Sequence, residues 1–300
     1  VVRIITDSVA SIPAEVARAK GIEVVSMFVH HQGREYVDAE MDVDEFYQGI
    51  HAMVDDIPTS SQPSQQVLED AFERAAQAGD AVLGVFMSSR MSGTFEGAVR
   101  VARSVKARHQ GFACKVIDST SNSYDEAFSV FDAVDVRDAG GSLEECARAV
   151  LKACASSRFL FTPATLAFLK AGGRIGGAAA LLGNLIQLAP VLTVSEAEAT
   201  TFAKVRTRKK ALDRMLRAFR EDVEAHGLKR VVVHYIGEAA PALAWAREAV
   251  EPYLGRAVEV LPVSPVIGCH VGPAVGIAYE CDAPLAGKYA GNTADLVFSA

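Results

Sequence analysis

Ala81-Val82-Leu83-Gly84-Val85-Phe86-Met87 is the stretch that decides the fold class. This continuous apolar run suits a strand covered on both faces, as in a parallel sheet. Its neighbours repeat one rhythm. Gln65–Ala78 reads as a helix before it, Ser88–Thr94 as a hydroxyl-rich turn after it, and a helix follows from Phe95 to Arg108. Upstream, Val2–Thr6 is a β-branched strand that ends in Asp7-Ser8. Ser11 then stands as N-cap just ahead of Pro13, a sequence sign of a helix start. Glu23–Val29 reads as a second strand and Pro58–Ser64 as a loop. Asp42–Met53 reads as a helix with Val43, Phe46, Tyr47 and Ile50 on one face. Downstream, Phe112–Ile117 is a strand with a polar exit at Asp118–Ser123, and helical patterns fill 124–139 and 143–156. Strands alternating with helices in this way predict an open, mostly parallel sheet with helices on both faces. Ligands of such sheets lie at the carboxyl ends of the strands, near a switch point in strand order. Three polar turns are expected there: Thr6-Asp7-Ser8, Ser88 through Thr94, and Asp118-Ser119-Thr120.

The second half changes character. Phe159-Leu160-Phe161 reads as a short strand, Ala164–Lys170 as a short helix, Gly172 through Gly177 as a glycine-rich turn and Ala178–Leu188 as a small apolar helix. Val191–Val194 and Thr200–Val205 are strands, and Arg208–Ala225 is a long amphipathic helix. Arg230–Ile236, Ala240–Val250 and Ala257–Val263 make a strand-helix-strand unit, and Gly268–Tyr279 is a loop running into a last strand. The expected fold is α/β with two domains, an N-terminal one over 1–160 and a C-terminal α/β sandwich over 161–281. Residues 282–300 lack a period and read as a tail.

Half of the 300 residues are apolar and 22% are charged, which excludes global disorder. A net charge of −7 argues against nucleic acid or an anionic membrane as the main partner. No apolar run approaches the roughly 18 residues of a membrane span, and Val1 through Ile5 lacks the pattern of a signal peptide. Five cysteines without a CxxC pair give neither a disulfide framework nor a zinc site. Such cysteines are small buried hydrophobes of a reducing compartment, so the expected location is the cytoplasm. There is no GxGxxG, Walker lysine loop, HExxH or GxSxG elbow, and no cofactor is expected.

The chemistry that remains lies in hydroxyls and one imidazole. Thr59-Ser60-Ser61-Gln62-Pro63-Ser64 and Ser88-Ser89-Arg90-Met91-Ser92-Gly93-Thr94 place hydroxyls beside helix starts. Either they are plain N-caps or, with exposed backbone amides, they form a neutral anion-binding cup. His270, near Gly268 and Gly272, is either a structural hydrogen-bonder or a ligand contact. Arg174, between two glycine pairs, either faces solvent or meets an anion. Lys204 through Arg220 carries eight cations against Asp213 alone, which makes it a solvated face or a docking surface. The acidic stretch Asp38–Glu45 reads as a solvated turn and helix start.

Taken together and in order, these residues resemble the DegV family of bacterial fatty-acid-binding proteins. The match runs from Arg3 to Tyr279. It rests on Thr6-Asp7-Ser8, Ser61-Gln62-Pro63-Ser64, Ser92-Gly93-Thr94, Asp118-Ser119, Phe168 through Ile175, Lys204 through Lys210, and Gly268 through Pro273. The resemblance implies two α/β domains with a long-chain fatty acid between them. It implies a carboxylate held by Ser60, Ser92 and His270 with Arg174 nearby, and a binding set of Ser60, Ser61, Ser92, Gly93, Thr94, Arg174 and His270. It also implies an acyl-carrier role, in which a separate fatty acid kinase converts the bound acid to an acyl phosphate. The chain departs from the family pattern where Ser60 replaces the usual Thr, in a shorter Gly272-Pro273-Ala274-Val275-Gly276, and in the polar Thr120 through Glu126.

A bound carboxylate is expected to favour protonated His270. Candidate tunnel walls are Phe28, Phe161, Leu166, Leu169, Leu181, Leu182, Leu185 and Ile186. The same hydroxyl and imidazole leave a second reading open: a serine-dependent acyl hydrolase or acyl transferase with Ser92 as nucleophile, His270 as base and Asp7 or Asp118 as orienting carboxylate.

Overall fold

The computed structural model describes residues 1–182, 188–289 and 291–300. Strand β1 (Val2–Asp7) leads through helix α1 (Ala14–Ala19) to β2 (Ile22–Val25), which pairs with it in parallel. The chain then leaves this sheet. It makes the hairpin β3 (Phe28–His31) and β4 (Arg34–Val37), helix α2 (Val43–Gln48) and the short strand β5 (Thr59–Ser61), which pairs with β3. This small antiparallel sheet was not expected; its strands are too short to carry a clear period. Helix α3 (Gln65–Gln77), capped by Ser64, returns to the parallel sheet at β6 (Ala81–Phe86), and α4 (Thr94–Arg108) leads on to β7 (Cys114–Asp118). With β2 on one side of β1 and β6 and β7 on the other, the switch point falls between β1 and β6.

Side chains alternate across this sheet. Ile5, Val82 and Phe86 pack with Leu68, Phe72 and Val101 of α3 and α4. Ile4, Leu83 and Val85 join the larger core, with Phe128 and Val150 of the next two helices, α5 (Ser123–Asp138) and α6 (Leu143–Ser156). Every residue from Ser123 to Val134 is buried. The reason is position: α5 packs on β1 and β6 on one side, and on β8 (Ser157–Pro163) of the second sheet on the other. A helix between two sheets has no solvent face.

The second sheet starts with β8. After the short helix α7 (Ala167–Ala171) come β9 (Ala189–Ser195), β10 (Glu198–Val205), α8 (Arg208–His226) and β11 (Arg230–Ile236). Helices α9 (Ala240–Trp245) and α10 (Glu251–Leu254), joined by π-helical Ala246–Val250, precede β12 (Glu259–Pro262), α11 (Pro265–Val271) and β13 (Ala274–Glu280). The order is β10-β9-β8-β13-β11-β12, antiparallel except for β11 with β12. The fold is thus two-domain α/β. None of the described helices is long and apolar enough to cross a membrane. The five cysteines are free and buried.

Several expectations differ from what is seen: Glu23–Val29 is split between β2 and β3, Pro58–Ser64 holds β5, and α1 has Pro13, not Ser11, at its N-cap. The boundary at 160 cuts β8, whose first residues already pair with β13. The stretch 282–300 is not simply a tail: β14 (Val297–Ser299) pairs antiparallel with β7 at the edge of the first sheet, and Lys288 is buried against Asp125. The residues before β13 form helix α11 rather than a loop, with Ser264 as N-cap and Pro265 in its first turn. Finally, Gly176–Leu181 is a 3-10 helix; the rest of the expected apolar helix over Ala178–Leu188, with Leu185 and Ile186, falls largely outside the described residues.

Candidate functional site

Two buried carboxylates hold the strand-end loops in place. Asp7, at the end of β1, accepts from the Val9 and Met87 amides at 3.0 and 2.9 Å, tying the two strands of the switch point together. Burial pushes its carboxyl up to about 7 against the pull of those amides. Asp118 does the same for the next pair of loops, accepting from Thr120 N at 2.7 Å and Ser89 N at 3.2 Å. Ser88 donates to the Ala197 carbonyl, which fastens the β6 loop to the β9–β10 turn of the second sheet. Asp38 was expected in a solvated turn. It is instead 4% exposed and accepts from Ser264 Oγ and Val266 N, so it anchors the start of α11.

Helix α11 places His270. Its interior Gly268 is required by packing: a Cβ there would lie 2.6 Å from the ring of Tyr47, whose hydroxyl donates to the Val263 carbonyl at 2.8 Å. The imidazole meets the small sheet, where Ser60 Oγ lies 2.7 Å from His270 Nε2. On its other side a Cβ on Gly172 would lie 2.2 Å from Nδ1, so only glycine admits the ring at that distance. His270 Nδ1 is buried without a hydrogen-bond partner. Burial, and then the Arg174 charge, push its pKa down to about 4. Without a ligand the imidazole is therefore neutral near neutral pH.

Between the sheets lies a cavity of about 120 Å³. Ser60, Gln62, Ser92, Gly93, Asn122, Arg174 and His270 supply its polar lining; Met27, Met87, Met91, Phe159, Phe161 and Leu169 are among its apolar walls. Ser92 Oγ pairs with Thr94 Oγ1 at 2.9 Å, and the Ser92-Gly93 turn sits at the start of the 15-residue α4, where the helix dipole favours an anion. Arg174 is exposed and bent inward, donating from Nε to Met91 O at 3.1 Å. Phe159 and Phe161 stack with centroids 5.1 Å apart. Both rings, with Ile267 and Val271, also line a second void of about 10 Å³ reaching His234 and Tyr235.

Of the residues singled out from the sequence, Ser60, Ser92, Gly93, Arg174 and His270 line this cavity. Ser61 does not: successive residues of a strand face opposite ways, and Ser61 pairs with His30 at 2.8 Å. Thr94 is fully buried and supports Ser92 from behind. Among the wall candidates Phe161 and Leu169 line the cavity; Phe28, Leu166, Leu181 and Leu182 are not among its lining residues. Sequence reasoning missed Gln62, Asn122 and the methionines. Ser92, proposed as a nucleophile, is bonded to Thr94 while the imidazole is held by Ser60. Asp7 and Asp118, offered as its orienters, are taken by backbone amides.

Comparison with known proteins decides the family. Residues 1–282 match the family model described as "Uncharacterised protein, DegV family". The chain belongs to the DegV family. A DegV domain-containing protein of Clostridium acetobutylicum is 36% identical over 281 residues, 93% of this chain and 97% of that one. Among solved structures, a DegV family protein from Thermus thermophilus, described by its fatty acid binding, is 31% identical with a TM-score of 0.81, over 93% of this chain and 99% of that one. A protein from Eubacterium ventriosum described as binding stearic acid has a TM-score of 0.84 at 25% identity, over 94% of this chain and 99% of that one. The cavity of this DegV chain lies between the two sheets that those comparisons span.

Proposed function

We propose that the chain binds a long-chain fatty acid in this cavity, with the carboxylate at Ser60, Ser92 and His270 and with Arg174 beside it. The observation that carries the reading is the Ser60–His270 pair set, with Ser92 at a helix start, on the rim of an otherwise largely apolar cavity. Burying about fourteen methylenes at roughly 0.8 kcal/mol each yields on the order of 11 kcal/mol before ordering costs. The difficulty is the carboxylate, whose burial without partners is prohibitive. Two hydroxyls, a neutral imidazole and a helix start answer it with directed donors and little fixed charge. The hydrolase reading loses its base, because His270 Nδ1 lacks the carboxylate that would orient it and the ring is a weak acceptor of protons.

Titration of delipidated protein with hexadecanoic acid across pH tests this reading. A bound carboxylate raises the pKa of His270 from about 4. Binding then takes up a proton only below the raised value, and affinity rises only as pH falls through it. We expect saturable binding of one acid per chain, with affinity for the ionised acid constant within about twofold between roughly pH 7.5 and 8.5. Absence of binding contradicts the function. A tenfold loss per pH unit across that range contradicts the neutral imidazole.

The acyl-carrier role gives the exposed Arg174 edge a purpose: the carboxylate stays within reach of a separate kinase that transfers a phosphoryl group from a nucleoside triphosphate to a carboxylate oxygen. The basic run is the surface offered to that kinase. Arg206, Arg208, Lys209 and Lys210 are exposed, whereas Arg214 is drawn in over the Phe202 ring at 4.7 Å. Charge reversal at Arg206, Arg208 and Lys209 should slow phosphorylation of bound acid about tenfold or more and leave lipid affinity unchanged. Unaltered phosphorylation removes the docking role. The free buried thiols suit a reducing compartment, the cytoplasm.

A further inference from the structure

Asn122 stands at the N-cap of α5, a position where asparagine ordinarily accepts a hydrogen bond from the first helical turn. Here its side chain makes no capping bond. It turns into the cavity and lines it beside Met91 and Phe159. It is 9% exposed, and its Oδ1 is buried without a hydrogen-bond partner. Its Nδ2 finds only the Met91 sulfur, 3.4 Å away, a weak acceptor. The backbone beside it is costly too: Ser123 and Thr120 hold φ values of 58°, a region that side chains seldom enter. A helix start that gives up its cap and leaves a buried amide oxygen unpaired on a residue of the cavity wall is an arrangement that a ligand group can complete.

We infer that Asn122 is a polar subsite on the cavity wall, and that the acyl ligand carries a hydroxyl close to its carboxyl end. A hydroxyl donates to Oδ1 while Nδ2 keeps its contact with the Met91 sulfur. The position follows from Met91. Its side chain touches Asn122, its carbonyl accepts from Arg174, and it directly precedes Ser92 of the head-group rim. The hydroxyl therefore lies near the carboxylate and not at the far end of the chain. This inference rests on the fatty-acid reading and deepens it from a plain acid to a 2- or 3-hydroxy acid.

The test compares hexadecanoic acid with its 2-hydroxy, 3-hydroxy and 16-hydroxy derivatives on the whole protein. One of the two carboxyl-proximal hydroxy acids should bind about tenfold more tightly than hexadecanoic acid, while the 16-hydroxy acid gains nothing. In Asn122→Leu the preference should vanish or invert. The wild-type comparison stands even if the variant does not fold. Equal affinities in the wild type overturn the inference, as does a preference that survives Asn122→Leu. So does a variant that loses hexadecanoic acid itself, which makes Asn122 a carboxylate donor instead. If hexadecanoic acid fails to bind the wild type at all, the fatty-acid reading falls first, so the two failures are told apart.

Discussion

His270→Ala should weaken fatty acid binding about 10- to 100-fold, the loss of a hydrogen bond to a charged group. The effect has two parts. The carboxylate loses a neighbouring imidazole, and Ser60 loses its 2.7 Å partner and its fixed orientation. Ser92→Ala should cost less, about 10-fold, because the helix start behind it remains. The measurement is the dissociation constant of hexadecanoic acid by calorimetry, with unfolding midpoints recorded for each variant so that a lost fold is not mistaken for a lost ligand. Unchanged affinity in both variants removes the carboxylate from this rim.

Lys288→Ala should lower stability by about 3–5 kcal/mol, the cost of stranding a buried charge. Lys288 is 5% exposed and Asp125 is 1% exposed, with Nζ and Oδ2 2.5 Å apart. Asp125 lies in the first turn of α5, between the two sheets, and Lys288 reaches it from the segment that follows β13. The backbone carbonyl of Lys288 also accepts from Glu196 N at 3.0 Å, so this residue binds the segment to the second sheet as well. For a chain of this size the midpoint of thermal unfolding should fall by about 10 °C. The double change Asp125→Leu with Lys288→Met should recover much of the loss, because it removes both charges together. A fall of under a few degrees in Lys288→Ala would show that Asp125 is satisfied without its partner.

How far the sequence can be read depends on whether a residue's role is set by its neighbours in the chain or by distant ones. Ala81–Phe86 declares itself because a strand buried on both faces needs no partner to be recognised. The β6 and β7 loops follow from it, and with them Ser92 and Gly93. The small sheet is different. Ser60 and Ser61 look equivalent in a hydroxyl-rich stretch, and only the pairing of β5 with β3 turns one to His270 and the other to His30. Helix α11 was hidden by Gly268, which reads as a loop residue until Tyr47 is known to press against it. The Ser264-Pro265 start was the local sign that could have found it. Asp38 reads as solvated in an acidic stretch, yet it caps a helix more than two hundred residues away. β14 has three residues and a partner 180 positions upstream, Val297 facing Ile117, so no local pattern could announce it. Asn122 read as part of a polar turn, and its meaning comes only from the cap it does not make.

The most direct measurement uses hexadecanoic acid labelled with carbon-13 at the carboxyl carbon, bound to the whole protein. In the wild type the carboxyl resonance should be distinct from that of free acid and should hold its position between roughly pH 7.5 and 8.5, as a buried carboxylate facing a neutral imidazole must. It should move in both Ser60→Ala and His270→Ala. A resonance that matches the free acid, or one that neither substitution displaces, would mean that the acid tip lies elsewhere and that the cavity between the sheets is not its binding site.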